Sequence, residues 1–415
     1  MSGDFRPVDR PGDVRMAGFL RRASVSEALA WVRQHSRPMA PEQVEISHLA
    51  GRVLAEDVAS EVDVPGFDRS MMDGFAVHAV DTAGASPYHR LPLRIVGTVL
   101  PGASRSESVG FGQAVKVMTG APIPPGADAV LPVEQTECEA GQVFALAEVS
   151  PGKHVGRQGE DIARGIVVLE AGRKIRPQDV GLLSSIGVGH AAVVRQPRVR
   201  IVITGNELLP AGCKPTGPRI TDANGPMLAA LVTRDGGLPL NPGIIADDPD
   251  AILAAMYSDA DVVLVSGGSS VGQEDYAPGL LAQHGELAIH GVAIRPSSPT
   301  GMGSLQNRLV FLLPGNPVSC LCAYDFFAGP AIRRLGGLAE EFPYLAVTLQ
   351  LRRKLVSTVG RVDYARVRIV DGQVEPIAIS GASVLSSTTR ADGFVVVPED
   401  SEGYPAGAEV RVCLY

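Results

Sequence analysis

The feature that most constrains the fold is a set of three continuous apolar segments, each of which runs into glycine. They read RVRIVITG (198–205), DVVLVSGG (261–268) and RLVFLLPG (308–315). An unbroken apolar strand is typical of a parallel sheet that helices cover on both faces. Helical segments such as NGPMLAALV (224–232), with Asn224 as its expected cap, separate the strands. The pattern predicts a doubly wound α/β domain over residues 196–336, with ligands bound at the carboxyl ends of its strands.

Shorter β-type segments occur on both sides of this domain. LRIVGTVL (93–100) and QAVKVMTG (113–120) predict a β-rich domain over residues 61–149. Residues 337–415 alternate around Asp371-Gly372, a pair that favours a two-residue hairpin, and predict a small barrel or sandwich. The remaining residues, 1–60 and 150–195, then form a first domain that the β-rich domain splits. A capped helix within Ser24–Ser36 begins its ordered part.

Charge, cysteine content and the lack of long apolar segments argue against a nucleic-acid-binding, a disulfide-bonded or a membrane-spanning protein. The net charge of −8 and the lack of a basic stripe argue against a nucleic-acid-binding protein. The five cysteines form no C-x-x-C pair, which suits free thiols in a reducing compartment. The first residues lack an apolar core, and no later segment reaches membrane-spanning length. We therefore predict a soluble, cytoplasmic protein that binds neither nucleic acid nor membrane.

The glycines after the second apolar strand allow two interpretations. Gly268-Ser269-Ser270-Val271-Gly272 matches the G-x-S-x-G pattern of serine hydrolases, which would need an acid and a histidine such as His284 or His290. The same glycines and serines suit a nest of backbone N–H groups that holds an oxyanion. A second glycine pattern, at residues 187–192, follows a helical segment and precedes an extended one, which is the reverse of a dinucleotide-binding fingerprint.

The segment VPGFDRSMMDGFAV (64–77) places two aspartates, an arginine and a serine among apolar residues. The aspartates could cap backbone N–H groups of a tight loop, or the segment could present a polar site on an apolar platform. Further carboxylates lie beside turns or strand ends, where they could hold Mg²⁺ together with phosphate and water. These are Asp161, Glu207, Asp222, Asp247 and Asp275. The histidines lack the spacing of a zinc site.

Six motifs together carry a resemblance to a known family. In chain order they are VPGFDRSMMDGFAV, VMTGAPIPPGADAV, GEDI, TGNEL, SGGSSVGQEDY and LPGNPVS. From about residue 20 to its end, the chain resembles the MoeA family, the molybdopterin molybdenumtransferases of molybdenum cofactor synthesis, and the related C-terminal domain of gephyrin.

The resemblance implies four domains and a reaction. The domains are an elongated split domain that also forms a dimer (1–60 and 150–195), an inserted β domain (61–149), an α/β molybdopterin-binding domain (196–336) and a C-terminal β barrel (337–415). The implied enzyme takes adenylated molybdopterin and molybdate, with Mg²⁺, and leaves molybdenum on the dithiolene as AMP departs. It would be a homodimer, with the molybdopterin adenylyltransferase and apo-molybdoenzymes as further partners. Residues 64–77 would reach the α/β domain of the partner subunit.

The resemblance also implies the site residues. Asp68, Thr119, Asp161 and Glu207 would be catalytic, with Asp68 and Glu207 as ligands of the metal. Substrate would be bound by Ser70, Gly205, Asp222, Asn224, Asp247, Ser266, Gly267, Gly268, Ser269, Asp275, Arg295, Ser298, Pro314, Gly315, Asn316 and Pro317.

The chain departs from the family pattern at several of these loops. Arg69 stands in place of the usual asparagine and Asn206 in place of the usual aspartate. The usual Lys-Pro-Gly-Lys-Pro loop is Arg295-Pro-Ser-Ser298-Pro, so that one of its two cations is lost. A cation lost beside a polyanionic substrate weakens attraction unless another group, such as Arg69, compensates. The alternative is therefore a specialised paralogue that binds molybdopterin or the finished cofactor as a scaffold or carrier.

Overall fold

The computed structural model describes residues 22–103, 107–268, 275–378, 381 and 383–415. The chain divides into two compact units. The first unit takes in the described residues of 1–42, 51–55 and 192–415, and the second those of 43–50 and 56–191.

Helices form a minor part of the described chain. They are α1 (Val25–His35), α2 (Pro177–Ser185), α3 (Asn224–Arg234), α4 (Pro249–Met256), α5 (Tyr276–His284), α6 (Pro317–Ala323), α7 (Gly329–Leu335) and α8 (Ser386–Thr389), with a π-helical segment at Tyr324–Ala328 between α6 and α7. Short 3₁₀ helices lie at Ile46–His48, Ala79–Thr82 and Val133–Gln135. Within the described ranges, no helix is both long and apolar enough to cross a bilayer.

Strands make up most of the regular structure. In the first half of the chain they are β1 (Pro41–Glu45), β2 (Val58–Ala59), β3 (Arg69–Ser70), β4 (Gly74–Val77), β5 (Leu91–Val99), β6 (Gln113–Val117), β7 (Ala129–Pro132), β8 (Thr136–Glu139), β9 (Gln142–Ala145), β10 (Val155–Gly156), β11 (Val167–Leu169), β12 (His190–Val194), β13 (Arg198–Thr204) and β14 (Leu208–Leu209). In the second half they are β15 (Ile220–Thr221), β16 (Leu238–Leu240), β17 (Ile244–Ile245), β18 (Val262–Ser266), β19 (Glu286–His290), β20 (Ile294–Arg295), β21 (Gly301–Leu305), β22 (Arg308–Leu313), β23 (Ala346–Gln350), β24 (Leu355–Val356), β25 (Val362–Val370), β26 (Gln373–Ala378), β27 (Gly393–Val397), β28 (Gly403–Tyr404) and β29 (Glu409–Leu414).

The central sheet of the first unit contains the three predicted apolar strands side by side. Its order is β16-β13-β18-β22-β21-β19, and β17 also pairs with β13. β13, β16, β17, β18 and β22 are parallel, whereas β21 and β19 continue the sheet in antiparallel pairs. The prediction of a parallel sheet is therefore right for the strands that carry the glycine loops, and it missed the antiparallel edge.

Both faces of this sheet are buried, as the unbroken apolar strands require. Ile201 and Ile203 of β13 belong to a cluster that includes residues of α1, α3, α6 and α7. Val202, between them, belongs to a second cluster with residues of α4 and α5. Successive side chains of a strand point to opposite faces, so helices on both sides account for the lack of polar residues.

A second sheet of the first unit contains the C-terminal strands. Its order is β20-β25-β27-β29-β23, with β26 on β25. Asp371 and Gly372 join β25 to β26 with positive φ angles of 50° and 74°, as the predicted two-residue turn requires. β20 lies outside the C-terminal segment of the chain, yet it pairs with β25 in parallel, with Arg295 opposite Asp363. Arg295 is thereby fixed to the C-terminal sheet.

The second unit is built on a six-stranded sheet in the order β7-β4-β6-β5-β9-β8. Its faces are covered separately: Phe75 and Val77 of β4 belong to one buried cluster, and Ala76 to another. The segment 64–77 contains β3, which pairs with β10 in a separate two-stranded sheet, and it ends in β4 of the six-stranded sheet.

Asp179 in α2 forms a compact ion cluster in the second unit. Its carboxylate, only 4% exposed, accepts hydrogen bonds from the side chains of Arg176 and Arg173 and from the backbone N–H of Arg176. The side-chain bonds from Arg176, then those from Arg173, hold the pKa of Asp179 well below its usual range. A carboxylate whose pKa is lowered by folding stabilises the fold above its unfolded pKa of about 4, and this contribution is lost as the pH falls.

We therefore expect Asp179→Asn to lower the free energy of unfolding at pH 7 by about 1–2 kcal/mol, because its arginine partners are partly exposed. The difference from the parent protein should shrink as the pH falls below about 4. Urea unfolding at pH 7 and pH 3 measures both quantities, with Glu61→Gln, an exposed carboxylate of the same unit, as the control. A difference that stayed constant with pH would contradict the assignment.

Candidate functional site

Three glycine-containing loops meet at the carboxyl ends of β13, β18 and β22. In the parallel register Ser266 lies beside Ile203 on one side and Leu313 on the other, so the three strands end together. A β-carbon on Gly267 would lie 2.2 Å from the carbonyl oxygen of Thr204, and one on Gly315 would lie 3.7 Å from the Gly267 α-carbon. We call residues 204–207, 266–268 and 314–317 the strand-end site.

Asn224 ties two of these loops together. Its side-chain amide donates to the Ser266 hydroxyl at 2.9 Å and to the Gly315 carbonyl at 2.8 Å. Asn224 is 7% exposed, and its Oδ1 is a buried acceptor that has no hydrogen-bond partner in the described residues. Buried polar atoms are seldom left unpaired, so an orphaned acceptor at a loop cluster points to a missing donor. The expectation that Asn224 caps α3 is wrong, because its side chain turns to these loops instead.

Two predicted carboxylates organise the surroundings of the strand-end site. Asp222 is buried and accepts a hydrogen bond from the backbone N–H of Gly225 at 2.9 Å. Asp247 accepts from the Thr204 hydroxyl at 3.2 Å. Asp275 directly precedes α5. Ser269 lies outside the described residues, as does the G-x-S-x-G segment after Gly268.

Cys320 places a thiol beside the strand-end site. Its sulfur lies 3.7 Å from the Ser266 hydroxyl. The thiol is buried, and burial raises its pKa to about 12. It is therefore protonated at neutral pH, which makes it a packing group rather than a nucleophile.

A cavity of about 720 Å³ adjoins the strand-end site. Pro314 and Asn316, in the loop after β22, line the cavity, whereas the carbonyl of Gly315 between them contacts Asn224. The rest of its wall comes mainly from β20 and the loop after it and from the loop before β25, together with Arg22, Ser319 and Gly381. We call it the arginine cavity; its polar walls include Arg295, Ser298, Ser319, Thr358 and Arg361.

One polar group of the arginine cavity is paired within the described part of the protein, and another is not. Arg295 donates from Nε to Asp363 at 2.9 Å and makes a second, parallel bond through Nη2. The Ser298 hydroxyl is buried and has no partner in the described residues. The sequence predicts Arg295 and Ser298 as site residues but gives no prediction for Arg361 and Asp363. The available signal was a carboxylate, Asp363, at the start of a β-type segment, with an arginine two residues before it.

In the second unit, Asp68 is clamped by a neighbouring loop. Arg157 donates to Asp68 Oδ2 at 2.7 Å, and the backbone N–H of Gln158 donates to Oδ1 at 2.8 Å. The bond from Gln158, followed by that from Arg157, lowers the pKa of Asp68 below its ordinary value. Both carboxylate oxygens thus already accept a hydrogen bond.

The other polar residues of the segment 64–77 are also engaged. Asp73 Oδ1 accepts from the backbone N–H of Thr119 at 2.7 Å and from its hydroxyl at 2.9 Å, and the backbone bond is the main cause of the lowered pKa of Asp73. Ser70 is buried, and its hydroxyl donates to the Met72 carbonyl at 2.6 Å. These contacts fix the loop, as the capping interpretation of its carboxylates predicts.

Asp161 and Glu207 differ from the clamped carboxylates. Both are exposed, and the described residues provide neither carboxylate with a hydrogen-bond or ion-pair partner. In Glu207 the carboxylate folds over Gly205, where an added β-carbon would lie 2.8 Å from Oε2. Across the described ranges, no three His, Cys, Asp or Glu side chains converge as they would around a metal ion held by protein alone.

Three family models match successive parts of the chain. Residues 23–187 match the MoeA N-terminal region (domains I and II). Residues 200–334 match a probable molybdopterin-binding domain, and residues 348–415 match the MoeA C-terminal region (domain IV). The three models together cover most of the chain.

Relatives and solved structures of similar length agree with these matches. A molybdopterin molybdenumtransferase of Staphylococcus aureus is 31% identical, over 94% of this chain and 95% of its own. Molybdopterin molybdenumtransferase 2 of Mycobacterium tuberculosis is 33% identical, over 94% of this chain and 98% of its own. A crystal structure of the molybdopterin biosynthesis MoeA protein of Pyrococcus horikoshii has a TM-score of 0.82 and 32% identity, and covers 95% of this chain and 99% of that chain.

These similarities confirm the resemblance and the fold class that the sequence predicts. They extend over nearly the whole length of both partners and over α/β and β domains alike. The chain is a member of the MoeA family, which acts in molybdenum cofactor biosynthesis.

Proposed function

We propose that this chain is a molybdopterin molybdenumtransferase, which inserts molybdate into the dithiolene of adenylated molybdopterin and releases AMP. The observation that carries the proposal is the strand-end site, where Asn224 presents an unpartnered buried acceptor among three glycine-containing loops. Family membership supplies the chemistry, since full-length relatives carry this enzyme name.

We propose that the strand-end site holds the molybdopterin. Gly267 has a positive φ of 101°, and an added β-carbon would overlap the Thr204 carbonyl, so glycine lets this loop pass close to the end of β13. A pterin ring carries N–H donors that match the free Asn224 oxygen. We propose that further residues of this site also bind the molybdopterin: Gly205, Asp222, Asp247, Ser266 and the Pro314–Pro317 loop.

We propose that the arginine cavity holds the anionic part of the reaction, which is molybdate or substrate phosphate. Guanidinium groups and hydroxyls are the donors that oxyanions accept. Arg22, Arg295 and Arg361 line the cavity and supply the charge. The unpartnered Ser298 hydroxyl supplies a neutral donor. The loop that contains Asn316 borders both sites, so a substrate could occupy both at once.

We propose Mg²⁺ as the cofactor. Mg²⁺ usually binds one or two carboxylates of a protein and completes its coordination shell with phosphate and water. The described residues contain no cluster of three ligating side chains, and the unpartnered carboxylate of Glu207 can serve as a single protein ligand. Mg²⁺, when bound, neutralises charge on the phosphates. Asp68 is proposed as a second ligand of Mg²⁺, with its carboxylate oriented by Arg157. Asp161 and Thr119 are proposed as further catalytic residues beside the metal.

The remaining proposals concern assembly and location. We propose a cytoplasmic homodimer that receives adenylated molybdopterin from the adenylyltransferase and delivers the product to apo-molybdoenzymes. Light scattering of the purified protein should give twice the mass of one chain. The division into four domains at residues 60, 150, 196 and 337 stays a prediction.

Arg295→Ala is expected to weaken molybdate binding about ten- to a hundredfold, because a charge-assisted contact is worth roughly 1.5–3 kcal/mol. Isothermal titration of molybdate into the purified protein at two salt concentrations measures this change. Arg295→Lys should also weaken binding, since an ammonium group cannot replace a bidentate guanidinium.

Arg353→Ala is the matched control, because this arginine is 62% exposed and does not line the arginine cavity. Its affinity for molybdate should equal that of the parent protein. If the Arg295 variants bound molybdate as tightly as the parent protein at both salt concentrations, Arg295 would not be part of the binding site.

A further inference from the structure

Asp363 is a fully buried carboxylate behind the wall of the arginine cavity. It lies in β25 and is 0% exposed. The paired bonds from Arg295 reach both of its oxygens, and the Ser357 hydroxyl donates to Oδ2 at 2.6 Å. Arg361 Nε lies 3.4 Å from Oδ1, an ion pair without a hydrogen bond. One carboxylate thus contacts Arg295 and Arg361, two of the three arginines that line the cavity; Arg22 is the third.

The two arginines come from different parts of the first unit. Arg295 lies in β20, between β19 and β21 of the α/β sheet in the chain, whereas Arg361 directly precedes β25 of the C-terminal sheet. The backbone joins the two segments through the β20–β25 pairing and the bond from Val362 N–H to the Ala293 carbonyl at 2.9 Å. Asp363 adds a side-chain link at the same level of the sheet.

These contacts also determine the orientation of the two guanidinium groups. Arg295 donates its Nε–H and one Nη2–H to Asp363, which leaves the second Nη2–H and both N–H groups of Nη1 as donors. Arg361 has Nε beside Asp363 and Nη2 3.4 Å from the Thr358 hydroxyl. Both arginines line the cavity, at 28% and 35% side-chain exposure. A rigid donor set loses less entropy when an anion binds than two mobile side chains would.

We propose that Asp363 is a positioning residue for the oxyanion of the reaction, because it orients Arg295 and Arg361 toward the arginine cavity. The inference rests on the proposed function, which places an oxyanion in this cavity. It assigns a role to a residue that does not itself line the cavity.

A positioning role and a purely electrostatic role predict opposite results. Asp363 subtracts one unit of charge from the arginines, so by Coulomb attraction alone its neutralisation should strengthen anion binding. Asp363→Asn keeps the shape but sets an amide N–H₂ group against guanidinium donors, which releases the arginines from their present orientation. If orientation matters more, anion binding must weaken even though the cavity becomes more positive.

The test is calorimetric titration of sodium molybdate into the full-length protein. We expect Asp363→Asn to bind molybdate about ten- to a hundredfold more weakly than the parent, the size of effect seen when outer-shell partners of a site are removed. The matched control is Asp371→Asn, whose exposed carboxylate lies 3.7 Å from Arg352 in the same domain. Its affinity should be unchanged. Equal or tighter binding by folded Asp363→Asn would overturn the proposal.

Ser357→Ala provides a second variant that keeps every charge. It removes the hydrogen bond to Asp363 Oδ2 and is expected to weaken molybdate binding about fivefold. In turnover assays the KM for molybdate should rise in both variants while the KM for adenylated molybdopterin stays constant. If Asp363→Asn does not fold, an unchanged molybdate affinity in Ser357→Ala refutes the inference.

Failure of this inference can be told from failure of the proposed function. Absence of molybdate binding by the parent protein would refute the oxyanion site itself, and with it the role of Asp363. Normal binding by the parent, together with unchanged binding by the folded variants, would refute the role of Asp363 alone.

Discussion

Replacing Glu207 by glutamine is expected to lower turnover by about a hundred- to ten-thousandfold, the range associated with loss of a catalytic acid–base or metal-binding group. Glutamine keeps the size of the side chain and removes its charge. The Glu207 carboxylate is exposed and has no partner in the described residues, so the variant should fold as the parent does. Release of AMP from adenylated molybdopterin measures turnover.

Two further measurements make this result specific. Urea unfolding of Glu207→Gln should give a free energy of unfolding within about 0.5 kcal/mol of the parent value. Asp400→Asn, at an exposed carboxylate of the C-terminal domain, should retain full turnover. Normal AMP release by Glu207→Gln would exclude Glu207 from the catalytic machinery.

Gly267→Ala is expected to destabilise the strand-end site and to abolish tight binding of molybdopterin. The added β-carbon would lie 2.2 Å from the Thr204 carbonyl oxygen, and the φ of 101° is unfavourable for any residue with a β-carbon. Strain and overlap together should lower the free energy of unfolding by about 2–4 kcal/mol. Thermal unfolding and titration with molybdopterin measure the two effects.

Gly279→Ala is a matched control for this substitution. Gly279 lies in α5, where an added β-carbon meets no atom within 4 Å. Alanine in place of glycine within a helix should raise the free energy of unfolding by up to about 1 kcal/mol. Equal stability and equal molybdopterin affinity in both variants would mean that the loop at Gly267 tolerates a side chain and does not fit closely around a ligand.

The parts of the fold that the sequence predicts are those with a strong local signal. Ser24 caps α1 through a complete capping box with Glu27, as expected for a serine before an apolar helix. The apolar strands of the α/β sheet are continuous because both of their faces are buried. These features depend on neighbours in the chain or on uniform burial, and a sequence displays both.

The features that the sequence did not predict depend on distant partners. Asn224 looked like a helix cap because asparagine favours that position. It instead contacts Ser266 and Gly315, which are far from it in the chain. Arg295 was expected to contact a ligand, and its pairing with Asp363 follows from a parallel strand pair that no local pattern encodes.

The family resemblance narrowed the search for the site more than the chemistry of single residues did. Carboxylates at loop tips are common, and no spacing distinguishes Asp68, which Arg157 clamps, from Glu207, which has no partner in the described residues. The structure separates these two environments. Glu207 and Asp161 are exposed and unpartnered in the described residues, whereas both carboxylate oxygens of Asp68 accept hydrogen bonds.

The most direct test of the proposed activity is AMP release by the purified chain. The protein is incubated with adenylated molybdopterin, molybdate and Mg²⁺, and AMP and pterin-bound molybdenum are both quantified. We predict AMP release that requires molybdate and Mg²⁺, with one molybdenum gained by the pterin for each AMP formed. Tight binding of adenylated molybdopterin without AMP release in the presence of both would contradict the proposed activity and identify a carrier instead.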